Sequence, residues 1–248
     1  MNYTAVVTGA SRGIGAAIAL RCARDGYAVV VNYSQDAEGA SRVVADIRSQ
    51  GGTAVAAPGD VSDPGAVEDV FAAARNLGPV KAVINNAGIT GNLIGPLVEV
   101  PVHVLSRVTD VNVKGPLLVC QAAIPCMALD AGGEGGQIIN ISSTATRQGS
   151  PNTWVHYAAT KGAVDVLTVG LASEVAARGI RVNGVAPGST NTGLHAAAGM
   201  PDRVQRLNHT IPMGRGAEPH EVANAVSWLL SDEAAYITGV ILPVSGGR

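Results

Sequence analysis

Tyr157 and Lys161 are the residues whose types and spacing most directly suggest chemistry. They stand four positions apart in a stretch, 155–177, whose pattern predicts one long helix, so both side chains lie on one helix face. A tyrosine hydroxyl has an unperturbed pKa of about 10, and a cationic lysine beside it lowers that pKa by favouring the phenolate. Such a pair could exchange a proton with a substrate oxygen. The same spacing is also common in solvated surface pairs, so the neighbouring motifs must decide.

Three consecutive hydroxyl residues, Ser142, Ser143 and Thr144, follow a predicted strand at 137–141. The carboxyl end of a strand is the edge at which parallel sheets bind ligands. A hydroxyl there could hydrogen-bond a substrate oxygen and stabilise the charge that develops on it. Ser142 could instead be a structural serine at the strand end or a neighbour of a cofactor.

A glycine-rich turn, TGASRGIG at 8–15, follows the first predicted strand and opens a helix. Its spacing is GxxxGxG and differs from the general GxGxxG fingerprint. Glycines let the backbone approach a pyrophosphate, and the helix N-terminus offers free N–H groups and the positive end of the helix dipole. A plain structural turn is the alternative, but the position after the first strand favours a phosphate site. The expected contacts are Gly9, Ser11, Arg12, Gly13, Ile14 and Gly15.

The end of the second predicted strand bears on the choice of dinucleotide. NAD sites usually place an acidic residue there for the adenosine ribose, whereas this chain has Asn32, Tyr33 and Ser34. Arg12 could pair with a 2′-phosphate, although it could also be a solvated surface arginine. Asp36 is close by, and an acidic residue there favours NAD(H). The balance favours NADP(H) over NAD(H), bound by these strand-end residues and Arg12.

Strands and helices must alternate to position these residues. Seven short runs rich in Val and Ile predict strands at 5–8, 28–33, 53–57, 82–85, 137–141, 181–186 and 240–242. They do not alternate strictly, as expected when both faces of a sheet are buried. Helical patterns lie between them, one starting at Asp63 as N-cap with Pro64 in the first helical position. This order predicts an α/β fold with a Rossmann-like, doubly wound parallel sheet and helices on both faces, in a single domain spanning 1–248.

The composition argues against several kinds of partner. The chain has 248 residues and a formal net charge of −2 without runs of like charge, so neither nucleic acid nor a membrane surface is expected as a partner. We find no apolar run near the roughly 18 residues of a membrane span and no signal peptide, which predicts a cytoplasmic protein. The histidines show no metal-ligand spacing, so no metal is expected. Three cysteines without a CxxC spacing predict buried reduced thiols: Cys22, Cys120 and Cys126.

Taken together, these motifs resemble the short-chain dehydrogenase/reductase family, in its single-domain members of this length. The matching segments occur in the family's order: TGASRGIG at 8–15, NNAG at 85–88, Ser143, YAATK at 157–161 and PG at 187–188. The resemblance implies a sheet of about seven strands, a nicotinamide cofactor and a homotetramer or homodimer. It also implies that Lys161 contacts the nicotinamide ribose.

Two further catalytic roles are carried over from the family. Its serine commonly precedes the tyrosine by 13 positions, which would select Thr144, but segment 147–154 resembles relatives with a longer loop. Ser143, 14 positions before Tyr157, is therefore expected to be the catalytic hydroxyl. Asn112 matches the family's fourth catalytic residue, which helps hold a water that relays protons to the lysine. The alternative is an asparagine that satisfies backbone groups in a kinked helix.

The remaining cofactor contacts rest on the resemblance. Asp60 would accept from the adenine amino group beside Val61, or it could be a turn aspartate. Asn86 would pass beneath the cofactor or lock the central strands together. Thr192 would face the carboxamide, whereas Thr190 replaces the usual aliphatic residue. The implied contacts of this half of the site are Asn86, Ala87, Gly88, Tyr157, Lys161, Pro187, Gly188, Thr190 and Thr192.

The function implied is NADP(H)-dependent interconversion of a carbonyl and a secondary alcohol, with Tyr157 as general acid and base. A non-catalytic NADP(H)-binding sensor or scaffold is the alternative, but such proteins usually lose catalytic residues and none is missing here. Nucleotide-sugar epimerases and dehydratases share the Tyr-x-x-x-Lys pair but are generally longer.

The small-molecule substrate is left open between sugars or polyols, simple ketones and β-ketoacyl thioesters. A loop near 189–215 is the expected substrate lid, with Trp154 and Met200 as candidate pocket residues. His156 is expected to pack rather than to catalyse. A phosphorylated or carrier-bound substrate would favour a basic entrance, for which the candidates are Arg147, Arg203, Arg206 and Arg215.

Overall fold

The computed structural model describes residues 3–248, and for residue 195 the backbone alone. Its strands form one sheet of seven, all parallel, in the order β3-β2-β1-β4-β5-β6-β7. This confirms the predicted doubly wound α/β fold. The strands are β1 (Thr4–Val7), β2 (Ala28–Tyr33), β3 (Ala54–Pro58), β4 (Val80–Asn85), β5 (Gly136–Ile141), β6 (Ile180–Pro187) and β7 (Ile241–Val244).

The helices cover both faces of this sheet. The α-helices are α1 (Gly13–Arg24), α2 (Ala37–Ser49), α3 (Pro64–Leu77), α4 (Val102–Thr109), α5 (Gly115–Met127), α6 (Ala145–Gln148), α7 (Val155–Val175), α8 (Gly193–Ala197), α9 (Arg203–Leu207) and α10 (Pro219–Leu230). A π-helical turn, Asp110–Lys114, joins α4 to α5. None of the helices among the described residues is both long and apolar enough to cross a membrane.

The sheet is buried on both sides because successive strand residues pack on opposite layers. Val7, Val31 and Ile139 pack with α1, α2 and α10. Val6 and Val30 pack on the other face with α3, α5 and α7. Both faces of a central strand therefore lie against an apolar layer, which explains why the strands do not alternate between apolar and polar residues.

A local signal fixes the start of α3 as predicted. Asp63 caps α3, with its side chain accepting from the amides of Gly65 at 2.8 Å and Ala66 at 3.2 Å, and Pro64 is the first helical residue. These bonds satisfy amides that the helix itself leaves without acceptors. The cap sets the point at which the chain leaves β3 and turns into α3.

Some predicted bounds are wrong. Thr8 ends the first predicted strand but lies in the following turn, because its hydroxyl accepts from two amides of the chain after β4. The last strand lies at Ile241–Val244 and not at 240–242. The long helix predicted at 155–177 ends at Val175, and its last residues tighten into a 3₁₀ turn. Such ends depend on tertiary hydrogen bonds that a local pattern does not contain.

The strand order reverses between β1 and β4, and parallel sheets bind ligands at such a switch point. The glycine turn follows β1, residues 86–88 follow β4, and Ser143 follows β5. The predicted site residues that follow these strands therefore meet at one edge of the sheet.

Candidate active site

The glycine turn between β1 and α1 needs its glycines. Gly9 and Gly13 have φ of 61° and 60°, a region that residues with a Cβ rarely adopt. A Cβ on Gly9 would lie 2.9 Å from the Cα of Ala87, and one on Gly15 would collide with the Asn86 side chain. The N-terminus of α1 carries no side-chain cap. Open amides at the end of a helix dipole fit the diphosphate of a dinucleotide.

Asn86 and Thr8 hold this turn against the end of β4. The Asn86 Nδ2 atom donates to the carbonyl oxygens of Thr8 at 2.9 Å and Gly9 at 3.0 Å. The Thr8 hydroxyl oxygen accepts from the amides of Asn86 and Ala87, both at 3.0 Å. Asn86 therefore locks the central strands together, as the structural alternative predicted.

Asn32 is also engaged by the backbone. Its side chain is buried, accepts from the Gly9 amide at 3.3 Å, and donates to the carbonyl oxygens of Ala57 and Gly59. These contacts use the amide group of Asn32 to join β1, β2 and β3.

The surface beside the end of β2 presents Arg12 and Ser34 to solvent, with Tyr33 partly buried. Asp36 caps α2 by accepting from the Gly39 amide at 2.9 Å. That hydrogen bond is the main cause that lowers the pKa of Asp36, and the Ser11 hydroxyl and the charge of Arg12 lower it further. A carboxylate thus stands beside the arginine expected to bind a 2′-phosphate.

Asp60, after β3, has the geometry of a turn aspartate. Its Oδ1 atom accepts from the Ser62 amide at 2.9 Å and the Ser62 hydroxyl at 2.7 Å, while Oδ2 pairs with Arg107. Burial is the largest single influence and raises the pKa of Asp60, but the hydrogen bonds from Ser62 and Arg107 and the charge of Arg107 together lower it below its usual value. Val61 is buried against Gly115, where an added Cβ would lie 2.7 Å from its side chain. The sequence did not predict a role for Arg107, because it lies 47 positions from Asp60 and no local pattern links the two residues.

The three hydroxyls after β5 have three different partners. Ser142 donates to Asp165 of α7. Thr144 donates to the carbonyl oxygen of Pro187 at 3.3 Å. Ser143 accepts from the Ala145 amide at 3.1 Å and hydrogen-bonds Tyr157, which leaves it as the hydroxyl beside the phenol. The structure thus brings Ser143 to Tyr157, as the family resemblance implied.

Tyr157 and Lys161 share one face of α7, as predicted. The Lys161 Nζ atom lies 5.7 Å from the centroid of the Tyr157 ring and donates to the carbonyl oxygen of Ile141 at 2.7 Å. Burial lowers the pKa of Lys161 to about 8, and Asp165, one turn further along α7, opposes that shift. The i, i+4 spacing from Lys161 to Asp165 is a signal that sequence reasoning did not use.

The sequence predicted that Lys161 lowers the pKa of Tyr157, but in the structure that pKa is raised. Burial raises the pKa of Tyr157 to about 12, and the hydrogen bond with Ser143 is the influence that lowers it. The lysine lies over the ring rather than at the hydroxyl, and its amine is held by Ile141. Tyr157 therefore keeps its proton at neutral pH, which suits a proton donor.

Asn112 lies in the π-helical turn between α4 and α5, fully buried. Its side chain accepts from the Ile89 amide and donates to the Ile89 carbonyl oxygen, both at 2.9 Å, and donates to Thr160 at 3.0 Å. The predicted structural alternative is therefore present. A Cβ built on Gly88 would be 3.5 Å from Asn112 Oδ1 and 3.4 Å from Lys161 Nζ, so the two side chains meet at Gly88. π-helical turns are frequent at functional sites, but the sequence predicted no such turn.

Residues after β6 close the site from the other side. A Cβ on Gly13 would lie 3.4 Å from the Thr192 methyl group, so Thr192 sits against the phosphate turn. Thr190 is buried and donates to the Gly188 carbonyl oxygen at 3.1 Å. Gly188 itself packs on Ser245. Thr192 thus lies beside the glycine turn, whereas the Thr190 hydroxyl is used within its own turn.

Trp154 and His156 anchor the chain after β4. The Trp154 Nε1 atom donates to the Leu93 carbonyl oxygen at 2.9 Å, and His156 Nε2 lies 2.9 Å from the Thr90 carbonyl oxygen. The Trp154 ring meets Tyr157 edge to face, with centroids 6.2 Å apart. Trp154 therefore borders the phenol, and buried His156 packs as expected.

No group of three or more His, Cys, Asp and Glu side chains that could hold a metal occurs within the described part of the chain. What the site offers is a hydroxyl, a phenol and an amine at the edge of the sheet, beside a turn shaped for a diphosphate. This arrangement can hold a dinucleotide next to a proton donor.

Comparison with known proteins places these features in a family. Residues 9–248 match the family model described as enoyl-(acyl carrier protein) reductase. The uncharacterized oxidoreductase YgfF of Escherichia coli is 47% identical, over 98% of this chain and 99% of its own. The ketoreductase LanV, solved with bound NADP, is 35% identical with a TM-score of 0.89, over 99% of this chain and 95% of its own.

A 3-ketoacyl-(acyl-carrier-protein) reductase from Brucella melitensis, solved with NADH, is 35% identical with a TM-score of 0.91. That match covers 99% of this chain and 98% of the reductase. Family model, full-length relatives and matching sheet agree: the chain belongs to the short-chain dehydrogenase/reductase family of oxidoreductases.

Proposed function

We propose that the protein is an NADP(H)-dependent oxidoreductase that interconverts a carbonyl compound and its secondary alcohol. The observation that carries the proposal is the contact of Ser143 with Tyr157 beside buried Lys161, at the sheet edge that also carries the glycine turn. When bound, NADPH supplies the hydride that reaches the carbonyl carbon. The remaining proton comes from the protein.

Tyr157 is the proton donor to the carbonyl oxygen in this proposal. Burial keeps its pKa at about 12, so the phenol is protonated at neutral pH and can give its proton as negative charge grows on the substrate oxygen. Ser143 donates a hydrogen bond to the same oxygen, which stabilises that charge. In the reverse direction the phenolate takes the proton from the alcohol.

Lys161 and Asn112 assist Tyr157 in the proposed proton transfer. In this proposal Lys161 binds the ribose that carries the nicotinamide and returns a proton to Tyr157. Asn112 holds the Ile89 backbone and meets Lys161 at Gly88, which suits the role of a water-binding neighbour of the amine. The dinucleotide is bound by the glycine turn, by Asp60 and Val61, and by residues 86–88, 187–188, Thr190 and Thr192.

The preference for NADP(H) rests on Arg12 and Ser34. Both are exposed beside the end of β2, and Arg12 forms no ion pair among the residues that the structure describes. A guanidinium matches a 2′-phosphate in charge and geometry. LanV binds NADP, which is consistent with this preference, whereas the Brucella relative was solved with NADH.

A homotetramer is part of the same proposal. Large apolar side chains are exposed in two sets of elements: Leu117 of α5 with Val166 and Val169 of α7, and Trp228 of α10 with Tyr236 and Val240 before β7. Exposed apolar patches mark interfaces, and two kinds of interface suit a tetramer of this chain. A cytoplasmic location fits the three free cysteines.

The test follows NADPH oxidation by the purified protein with ketones, aldehydes, keto sugars and β-ketoacyl thioesters. Turnover with one class should fall at least about 100-fold in Tyr157→Phe, with NADPH binding retained. Cofactor binding without turnover of any carbonyl would favour the sensor or scaffold instead.

A further inference from the structure

The proposed substrate loop places a cation against an aromatic ring that borders the phenol. The guanidinium carbon of Arg203, in α9, lies 5.0 Å from the centroid of the Trp154 ring. The same indole meets Tyr157 edge to face. The Trp154 ring therefore contacts both the Arg203 cation and the ring of the proposed proton donor.

Arg203 differs from the other arginines expected at a basic entrance. Arg215 is held by Glu221 through two hydrogen bonds of 2.7 Å, so its charge is neutralised. Arg147 and Arg206 are exposed to solvent. Arg203 is partly buried and forms no ion pair with a carboxylate in the described part of the chain.

The surroundings of Arg203 disfavour its charged form. One guanidinium nitrogen contacts Met200 Sδ at 3.3 Å, and a thioether is a weak acceptor. Burial lowers the pKa of Arg203, and the like charges of Arg248 and Arg206 lower it further. A cation that is partly desolvated among other cations attracts an anion strongly, and a guanidinium can bind an oxyanion through two parallel hydrogen bonds.

We propose that Arg203, seated on Trp154, binds an anionic group of the substrate, so that the enzyme acts on carbonyl compounds that carry a carboxylate or a phosphate. This inference rests on the proposed reductase function and names its substrate class. The alternative is that Arg203 only fastens the loop to Trp154 through a cation–π contact.

The first experiment compares matched substrates in NADPH-dependent turnover. 4-Oxopentanoate and 5-oxohexanoate are compared with their methyl esters, and dihydroxyacetone phosphate with dihydroxyacetone. The wild type should prefer the anionic member of at least one pair in kcat/KM. The carboxylate and phosphate arms identify which anion the site takes.

The variant Arg203→Gln should lower kcat/KM for the preferred anion at least about tenfold, while the neutral partner changes less than about twofold, because only the anion loses its charged hydrogen bonds. Arg203→Lys should fall between the two. Arg147→Gln is the control, since it removes an exposed arginine outside the contact with Trp154. An equal loss on both members of a pair, or a wild type without preference for the anions, would overturn the inference and leave the reductase function standing.

A binding measurement separates the two proposals. In a Trp228→Phe background, Trp154 is the remaining tryptophan. Hexanoate, which has no carbonyl to reduce, should change its fluorescence in the NADPH complex, whereas hexan-1-ol should not, and Arg203→Gln should abolish the response. This response without turnover of any carbonyl would keep the anion site and refute the reductase. No response to hexanoate or inorganic phosphate would count against the anion site.

Discussion

The side-chain amine of Lys161 donates a hydrogen bond of 2.7 Å to the carbonyl oxygen of Ile141, the last residue of β5. This bond ties the helix that carries Tyr157 to the strand that leads into Ser143. It also buries an ammonium group, and that burial is measurable as a dependence of stability on pH.

Lys161→Met should make the protein more stable at neutral pH while removing activity. Burial lowers the pKa of Lys161 from 10.5 to about 8, so the unfolded chain holds this proton more tightly than the folded protein. The wild type therefore gains stability as pH rises from about 8 towards 10.5, and below 8 the cost is fully present. The net advantage of the variant at pH 7 should be about 1–2 kcal/mol, since the lost hydrogen bond offsets part of the gain.

Urea unfolding followed by circular dichroism at pH 7.0 and 9.5 measures this difference. The difference in unfolding free energy between variant and wild type should shrink at the higher pH. A difference that does not change with pH would show that Lys161 is not charged at a desolvated site.

Ser143→Ala should lower kcat by about 100- to 1000-fold, because it removes the donor beside the phenol. Thr144→Val is the matched control, since its hydroxyl is bonded to Pro187, and its kcat should stay within about fivefold of wild type. Steady-state rates with one good carbonyl substrate provide the readout. The reverse ranking would assign the catalytic hydroxyl to Thr144.

Asn112→Ala should unfold more easily by about 2–4 kcal/mol. The variant loses three hydrogen bonds of a fully buried side chain and leaves the amide and carbonyl of Ile89 without partners. Thr160→Val removes one of these bonds and keeps the others, so it should cost less. Urea midpoints of the two variants would contradict this account if they matched the wild type.

Arg12→Ala should raise the Kd for NADPH about tenfold or more and leave that for NADH within about twofold, since only NADPH carries the 2′-phosphate. Asp36→Asn should act in the opposite direction by removing a negative charge beside Arg12, and Asn caps a helix about as well as Asp. Fluorescence titration of both cofactors measures the changes. Equal losses for NADPH and NADH in Arg12→Ala would remove Arg12 from the 2′-phosphate site.

Much of the site could be predicted because its signals are local. The glycines of the turn, the i, i+4 pair on α7 and the cap of α3 are each set by neighbours within a few positions. The fold followed from the order of apolar runs, since parallel strands joined by helices admit few topologies.

Other features depended on residues far apart in the chain. Asp60, after β3, and Arg107, in α4, meet only in the folded protein, and Asn112 of the π-helical turn bonds Ile89 of the chain after β4. The pKa of Tyr157 was expected to fall and instead rises, because burial outweighs the influence of a lysine that lies over the ring. Burial is a property of the packed molecule, so no spacing rule could give its size.

By itself, then, the sequence determined the family, the parallel sheet and the chemical types at its edge, because periodicity and glycine positions act through the local backbone. Only the tertiary structure decided which of three adjacent hydroxyls meets Tyr157, which entrance arginine is left without a carboxylate, and which polar residues hold the backbone. Those outcomes depend on which side chains the packing of separate elements brings within hydrogen-bonding distance, and on how much water that packing excludes.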